Sequence, residues 1–299
     1  MPHLEITPVS QLHLICDPCV NIFCGMGSKN THTMNREFCE RFFVSAGDTD
    51  AEGRMSLPLL TSKIIDVATA HANSLGIGNP SMVHLHRGWV LSRLAIELKE
   101  YPRVNGEYQL TTWVETWNRR FSERCFELSD AEGRPMGYAR SIWMVLDTET
   151  HESCDLTHLS LPEDMVSDRD CPIAHQGRHR TIVEQDAEEV PRGGLKATAP
   201  VQEYRFQYCD LDFYRHVNTV RYVQMLLNRF TLEEFDRMEV ARMELTFMHE
   251  CHYGQRIRIL RADEEDQTSF ALVNPETNEA ALFASLKFVP ITSSGVLPA

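Results

Sequence analysis

Two segments of this chain carry the same order of hydrophobic patterns. In the first, a strand pattern over residues 38–44 precedes apolar residues at helical spacing over residues 57–75. Four further strand patterns follow, separated by turn-forming residues, at 89–98, 108–117, 121–129 and 136–146. One long helix followed by a run of antiparallel strands predicts an α+β fold in which the sheet wraps the helix.

The second segment repeats this order from about residue 201. It predicts a strand at 204–208, a helix over 219–235, and then strands at 240–248, 256–261, 268–273 and 280–289. The register of the repeat is visible before each helix, where Asp48-Thr49-Asp50 and Asp210-Leu211-Asp212 lie 162 positions apart. We expect the two following helices to have similar lengths. A repeat of this size indicates two whole domains rather than a solenoid.

The predicted organisation has five parts. They are an extension over 1–33, a first domain over 34–150, a linker over 151–200, a second domain over 201–290 and a tail over 291–299. The extension shows no sustained periodicity and carries few charges, so we expect it to be disordered, with Met34 as an alternative start. It contains no arginine, which disfavours a plastid or mitochondrial transit peptide. The linker is rich in acidic residues, proline and glycine.

Composition and charge argue against several functional classes. The chain of 299 residues is 42% hydrophobic and has a formal net charge of -14, which disfavours nucleic-acid binding. No apolar run approaches the roughly 18 residues that cross a bilayer, and no secretory signal is visible. We therefore expect a cytoplasmic protein without a membrane or nucleic-acid partner.

Cysteine usage indicates reduced thiols. The nine cysteines are an odd number with no framework spacing. Cys16 and Cys19 form a pair at metal-binding spacing, but no second pair follows at zinc spacing. The sequence therefore predicts neither a metal nor another cofactor.

The loop before the second helix holds the candidate chemistry. Asp212 and His216 lie in this loop, and Asn218 is well placed as the N-cap of the helix. The alternative is that Asp212 and Asn218 only cap, and that His216 is a half-buried histidine without a chemical role. A capping role should persist in both copies, whereas the repeat places His216 opposite Arg54 and Asn218 opposite Ser56. This asymmetry indicates that the second copy was retained for chemistry.

Three stretches resemble the signature regions of the plant and bacterial acyl-ACP thioesterases. They are DLD and HVN within 210–218, RMELTFMHEC at 242–251, and WVLSR at 89–93 with Tyr101-Pro102 and Gly106. The resemblance runs from about residue 36 to residue 289. It implies a tandem (double) hot-dog fold, each unit being a long helix wrapped by an antiparallel sheet. It also implies hydrolysis of fatty acyl-ACP to free fatty acid and carrier protein, which ends chain elongation.

The resemblance also implies which residues act. The family's catalytic Asp, His and Glu fall on Asp212, His216 and Glu250, while its Asn falls on Tyr214. Tyrosine can donate a hydrogen bond but lacks the carbonyl acceptor of an amide. Either Asn218 or a main-chain group takes over that part, or the site works more slowly or on a different acyl group.

These assignments lead to a mechanistic hypothesis. His216 and Glu250 position and deprotonate a water molecule, and Asp212 orients the site or the substrate carbonyl. Unpaired N–H groups at the start of the second helix bind the oxyanion. Cys251 is the alternative nucleophile, although a strand cysteine more often contributes to packing. The strand pattern alone favours a solvated edge glutamate at Glu250, and the catalytic role comes from the family resemblance.

Two further sets of residues are candidates for substrate contacts. The first helix with Trp89, Trp113 and Trp117 could line an apolar tunnel for the acyl chain, or these aromatic residues could simply fill the core. The partner implied by the family is an acidic acyl carrier protein bearing phosphopantetheine. Its candidate contacts are arginines, for which an ordinary solvated role is the alternative: Arg119, Arg120, Arg124, Arg215 and Arg221.

Three other functions stay open. An acyl-CoA thioesterase would share the fold and the site. A hot-dog dehydratase or hydratase fits the HVN loop and the distant glutamate less well. A non-catalytic acyl-thioester sensor is suggested by Tyr214. Because a fused repeat can pack like a hot-dog dimer within one chain, a monomer suffices for folding, and a homodimer is the alternative.

Overall fold

The computed structural model describes residues 36–159 and 165–291. The predicted extension over 1–33 lies outside the described residues, as does the predicted tail after residue 291. No helix in the described part of the chain is long and apolar enough to cross a membrane.

The first half contains one long helix, one short helix and five strands. The helix α1 (Leu57–Ser74) begins after Ser56 with a proline in its first turn, and it buries an apolar stripe that includes Leu60 and Ile64. It ends before Gly76, whose φ of 75° is readily adopted only by glycine. The other elements are β1 (Glu37–Phe43), α2 (Asn79–Val83), β2 (Arg87–Leu98), β3 (Glu107–Trp117), β4 (Ser122–Asp130) and β5 (Pro135–Asp147).

The second half repeats this order with a shorter helix. Its elements, including two short strands from the linker, are β6 (Ile182–Val183), β7 (Leu195–Lys196), β8 (Gln202–Arg205), α3 (Thr219–Leu227), α4 (Leu232–Phe235), β9 (Met238–Phe247), β10 (Arg256–Asp263), β11 (Gln267–Val273) and β12 (Ala280–Pro290). The predicted strands of both halves are confirmed to within three residues at their ends.

The prediction of one helix over 219–235, similar in length to the first, is wrong. α3 has 9 residues and α1 has 18. The amides of Arg229 and Phe230 donate to carbonyls only three residues back, which tightens the last turn. Thr231 then starts α4 through a capping box with Glu234.

All ten long strands form one antiparallel sheet. Its order is β1-β3-β4-β5-β2-β9-β12-β11-β10-β8, so the two halves have the same strand order counted from each edge inward. They join where β2 pairs with β9, from Arg93 opposite Thr246 to Glu97 opposite Arg242. Helices α1 and α3 pack against each other on one face, which we call the inner face, over a shared apolar core. The predicted α+β tandem hot-dog fold is confirmed.

The linker crosses the other face of the sheet, which we call the outer face. The Trp113 indole N–H donates to the Arg169 carbonyl at 2.7 Å, and the Gln176 amide donates to the Leu245 carbonyl at 3.0 Å. Trp113 is fully buried with Cys125, Cys171 and other residues, away from α1. The suggestion that Trp113 lines a tunnel beside the first helix is therefore wrong, because its side chain faces the linker.

Candidate active site

Asp212 organises the loop before α3. Its Oδ1 accepts the main-chain N–H groups of Tyr214 at 2.9 Å and of His216 at 3.1 Å. The Asp212 N–H donates in turn to the His216 carbonyl at 2.8 Å. Arg215 takes a left-handed conformation with φ of 66° to complete the turn. Asp212 therefore holds the backbone that presents His216.

A second set of backbone contacts brings His216 to Glu250. The Val217 N–H donates to the Cys251 carbonyl at 2.8 Å, and His216 forms an antiparallel bridge with His252. As a result, His216 Nε2 lies 3.4 Å from Glu250 Oε2, and the two side chains are 31% and 34% exposed. An imidazole beside a carboxylate, both open to solvent, can hold a water molecule and accept its proton.

Asn218 is the N-cap of α3, as predicted. Its side-chain oxygen accepts the Val220 N–H at 2.9 Å, and its carbonyl accepts the Arg221 N–H at 2.9 Å. Two of the first three helical amides are therefore already engaged. This narrows the candidate oxyanion donors at the helix start to the amide of Thr219.

Cys251 points into the core between Glu250 and His252. It is 1% exposed, and burial raises the pKa of its thiol while contact with the Tyr222 hydroxyl partly offsets the rise. A protonated, enclosed thiol is a poor nucleophile. The geometry favours water over Cys251 as the attacking group.

Tyr214 lies on the exposed side of the loop before α3. Its side chain is 44% exposed and its ring lies 4.0 Å from that of Phe213, centroid to centroid. Burial and the charge of Asp212 raise the pKa of the phenol, so the side chain stays neutral. Its main-chain N–H supports Asp212, and this contact does not depend on the identity of the side chain.

The arginines predicted to contact the carrier protein differ in their exposure to solvent. Arg119, Arg120 and Arg215 are exposed. Arg124 is buried: its guanidinium donates to His71 Nδ1 at 2.7 Å, and burial lowers its pKa to about 10. The proposed contact between Arg124 and a carrier is therefore wrong, because its strand position turns it toward α1.

Arg221 is anchored by its own loop. Its Nε donates to the Cys209 carbonyl at 2.8 Å, and its Nη1 donates to the side chain of Gln224. These bonds hold the guanidinium beside the start of α3. Arg221 therefore contributes positive charge there and fixes the loop at the same time.

A small apolar gap of ≈ 10 Å³ lies between α1 and the first half of the sheet. Its lining residues are aliphatic or aromatic and include Leu60, Ile64, Ile96, Leu110, Phe126 and Leu128. Trp89 and Trp117 lie in a separate apolar cluster, with their rings 5.9 Å apart. The Trp89 indole N–H donates to the Ile77 carbonyl at 2.7 Å, which fixes it after the end of α1.

His252 is a site residue that the sequence-based prediction missed. Its ring lies 5.1 Å from that of His216 at an interplanar angle of 73°. Potential ligand atoms of His216, Glu250 and His252 all lie within 4.8 Å of one another. The spacing Glu250-x-His252, which puts both side chains on one face of an extended segment, was the available signal.

Comparison with known proteins identifies one family over both halves. The model of the acyl-ACP thioesterase N-terminal domain matches residues 35–160, and that of the acyl-ACP thioesterase C-terminal domain matches residues 195–281. The chain is 24% identical over 267 residues to a chloroplastic oleoyl-acyl carrier protein thioesterase of Coriandrum sativum, covering 84% of this chain and 70% of that protein. For oleoyl-acyl carrier protein thioesterase 2 of Arabidopsis thaliana the identity is 23%, covering 75% and 62%.

Solved structures agree with this comparison. An acyl-ACP thioesterase from Bacteroides thetaiotaomicron superposes with a TM-score of 0.75 and 25% identity, covering 85% of this chain and 98% of that one. A 12:0-ACP thioesterase from Umbellularia californica gives a TM-score of 0.67 at 17% identity, covering 86% and 95%. The second likeness concerns the fold alone.

Proposed function

This chain belongs to the acyl-ACP thioesterase family, and from that premise we propose that it hydrolyses the thioester of a fatty acyl chain carried on acyl carrier protein. The products are the free fatty acid and the carrier, so the reaction ends chain elongation. The observation that carries the proposal is the His216–Glu250 pair, 3.4 Å apart and open to solvent beside the start of α3.

The reaction follows from this geometry. His216 Nε2 and the Glu250 carboxylate face the same water molecule, and Nε2 takes a proton from it as the oxygen attacks the thioester carbonyl carbon. The oxyanion that forms is stabilised by the amide of Thr219 at the helix N-terminus. As the C–S bond breaks, the protonated imidazole returns its proton to the pantetheine sulfur. Asp212 keeps the imidazole in place through the backbone of the loop.

The acyl chain and the carrier protein are expected to contact different parts of this chain. The apolar side chains that line the gap beneath α1 support a place for the acyl chain in the first half, and because the gap is only ≈ 10 Å³ these side chains must move apart to admit it. Exposed arginines such as Arg120 and Arg215 provide positive charge for an acidic carrier protein. A cytoplasmic location stays a prediction; the curated plant relatives above are named chloroplastic.

The test is release of free thiol from acyl-ACPs of C8 to C18 by the intact chain and by His216→Ala. Losing a general base costs about 10²- to 10⁴-fold in turnover, and we expect a loss in this range. His249→Ala is the matched control, because His249 is an exposed histidine next to Glu250 and outside the pair. Equal turnover by His216→Ala and the intact chain would contradict the proposed mechanism.

Tyr214 favours one alternative, a sensor that binds acyl thioesters without cleaving them. Tyr214→Asn, which restores the residue that the family resemblance predicts, separates the two functions. Because the contact of residue 214 with Asp212 uses the main chain, we expect the variant and the intact chain to turn over within about tenfold of each other. Tight binding without turnover by the intact chain, together with turnover by the variant, would instead establish the sensor. Acyl-CoAs of the same chain length, assayed in parallel, decide between the two carriers.

A further inference from the structure

Three side chains at the candidate active site have the composition of a metal site. His216, Glu250 and His252 offer two imidazole nitrogens and a carboxylate oxygen, all within 4.8 Å of one another. We propose that these residues bind a divalent cation of the zinc type, and that the bound ion stops hydrolysis. The second part rests on the proposed function, while the first does not.

The backbone brings these three residues together before any ion binds. Glu250 and His252 are two apart, with the buried Cys251 between them pointing into the core, so both side chains face solvent on the same side. His216 approaches from the opposite segment through its bridge to His252. The His252 N–H is also held by Gln255 Oε1 at 3.1 Å. These contacts order the backbone of the site without an ion.

The distances suit zinc. Bonds of about 2.0–2.2 Å in a tetrahedral site place neighbouring ligand atoms about 3.3–3.6 Å apart. His216 Nε2 and Glu250 Oε2 are already 3.4 Å apart. His252 is exposed and can complete the site by rotating its side chain.

The ligand types select the class of ion. Imidazole suits zinc and neighbouring transition metals, whereas calcium and magnesium prefer oxygen ligands alone. Two histidines and one glutamate leave a fourth position for water. The net charge of -14 adds a general attraction for cations.

The equivalent place in the first half lacks these ligands. Arg54 forms the corresponding bridge with Arg103, where the second half has His216 and His252. Two guanidinium groups repel a cation rather than bind it. The first half therefore serves as an internal reference, and we expect one such site within residues 36–159 and 165–291.

An ion in this site competes with catalysis. The lone pair on His216 that would accept the proton of water is donated to the metal instead. Glu250 is likewise occupied. Hydrolysis should therefore fall as the site fills and recover when a chelator removes the ion.

The experiment is titration of the full chain with zinc by calorimetry, and with cobalt(II) by absorption. His252→Gln removes one ligand, and His249→Gln is the matched control. Loss of a partner outside the ligand shell already weakens binding by about 10- to 100-fold, so we expect at least about a tenfold loss in His252→Gln and none in the control. The zinc concentration that halves turnover, relative to each variant's own metal-free rate, should rise by the same factor.

Thiols are the main competitor for zinc, since Cys39 and Cys209 are both exposed and Cys16 and Cys19 form a pair at metal-binding spacing. Cobalt bound to sulfur gives an intense ultraviolet charge-transfer band, whereas a histidine and carboxylate site gives only weak visible bands. A sulfur band, equal affinity in His252→Gln and the intact chain, or a faster reaction with zinc would overturn the proposal. Binding that depends on His252 in a chain that does not cleave acyl-ACP would refute the proposed function but leave the metal site intact.

Discussion

The loops before α1 and α3 have equivalent backbone hydrogen bonds but different functions. Asp50 accepts the Arg54 N–H at 2.9 Å, as Asp212 accepts the His216 N–H at 3.1 Å. The next residue in each loop donates its N–H at 2.8 Å to a carbonyl that follows the strand joining the two halves, Pro102 after β2 and Cys251 after β9. The repeat therefore preserves the scaffold that places one side chain at each loop tip.

The side chains at those tips differ in what surrounds them. Arg54 is 3% exposed and pairs with three carboxylates, those of Asp50, Glu52 and Glu239. Glu239 belongs to β9, so Arg54 ties the first loop to the second half. His216 is instead about one-third exposed beside Glu250.

The residue that faces the loop tip also differs between the two halves. Where the second half has Glu250, the first has Tyr101, which lies beneath the Arg54 guanidinium and donates its hydroxyl to the Val240 carbonyl at 2.6 Å. Burial raises the pKa of Tyr101 far above its usual range, so this group stays neutral. In the first half the loop therefore connects the two halves through Arg54 and Glu239. In the second half the same loop presents His216 to solvent beside Glu250.

The largest effect on stability should come from removing Arg54, which connects the first loop to β9. Arg54→Ala leaves three partly buried carboxylates without their common partner. Removing one member of a fully buried ion pair costs about 3–5 kcal/mol, and because these carboxylates keep some contact with solvent the cost should lie at about 3 kcal/mol. We expect a loss of that size in the free energy of unfolding, measured by urea denaturation. His216→Ala, at the equivalent exposed position, should change it by less than about 1 kcal/mol. Similar losses in both variants would contradict the division of roles between the loops.

A smaller effect should distinguish the two helix caps. Asn218 caps α3 with its side chain, whereas the Ser56 side chain makes no such bond to α1. Asn218→Ala should therefore lose about 1 kcal/mol of stability, and Ser56→Ala only a few tenths. Asn218→Asp keeps an acceptor oxygen and serves as the control. If Ser56→Ala lost as much as Asn218→Ala, the capping difference would be wrong.

The smallest effect on turnover should come from Cys251. Because burial raises the pKa of its thiol, Cys251→Ser should retain acyl-ACP turnover within about tenfold, apart from any loss of folded protein. The comparison requires rates normalised to folded enzyme, measured by circular dichroism. A fall of about 10³-fold or more would show that the thiol attacks the substrate.

Much of the fold and part of the site can be read from local patterns. Apolar spacing predicts α1 to within one residue of its end, and turn residues separate the strands, because both features depend on neighbours along the chain. The cap at Asn218 follows from its place just before an apolar helix. The capping box from Thr231 to Glu234, which ends the continuous helix, was also a sequence signal and was overlooked.

The sequence by itself determined the repeat, its register and the asymmetry between Arg54 and His216, since these depend only on the order of residue types. Only the folded structure shows that Trp113 faces the linker, that Arg124 is buried, and that His252 contacts His216. Each of these depends on which face of a strand is covered and by what. That is set by contacts between segments distant in sequence, which no local pattern encodes.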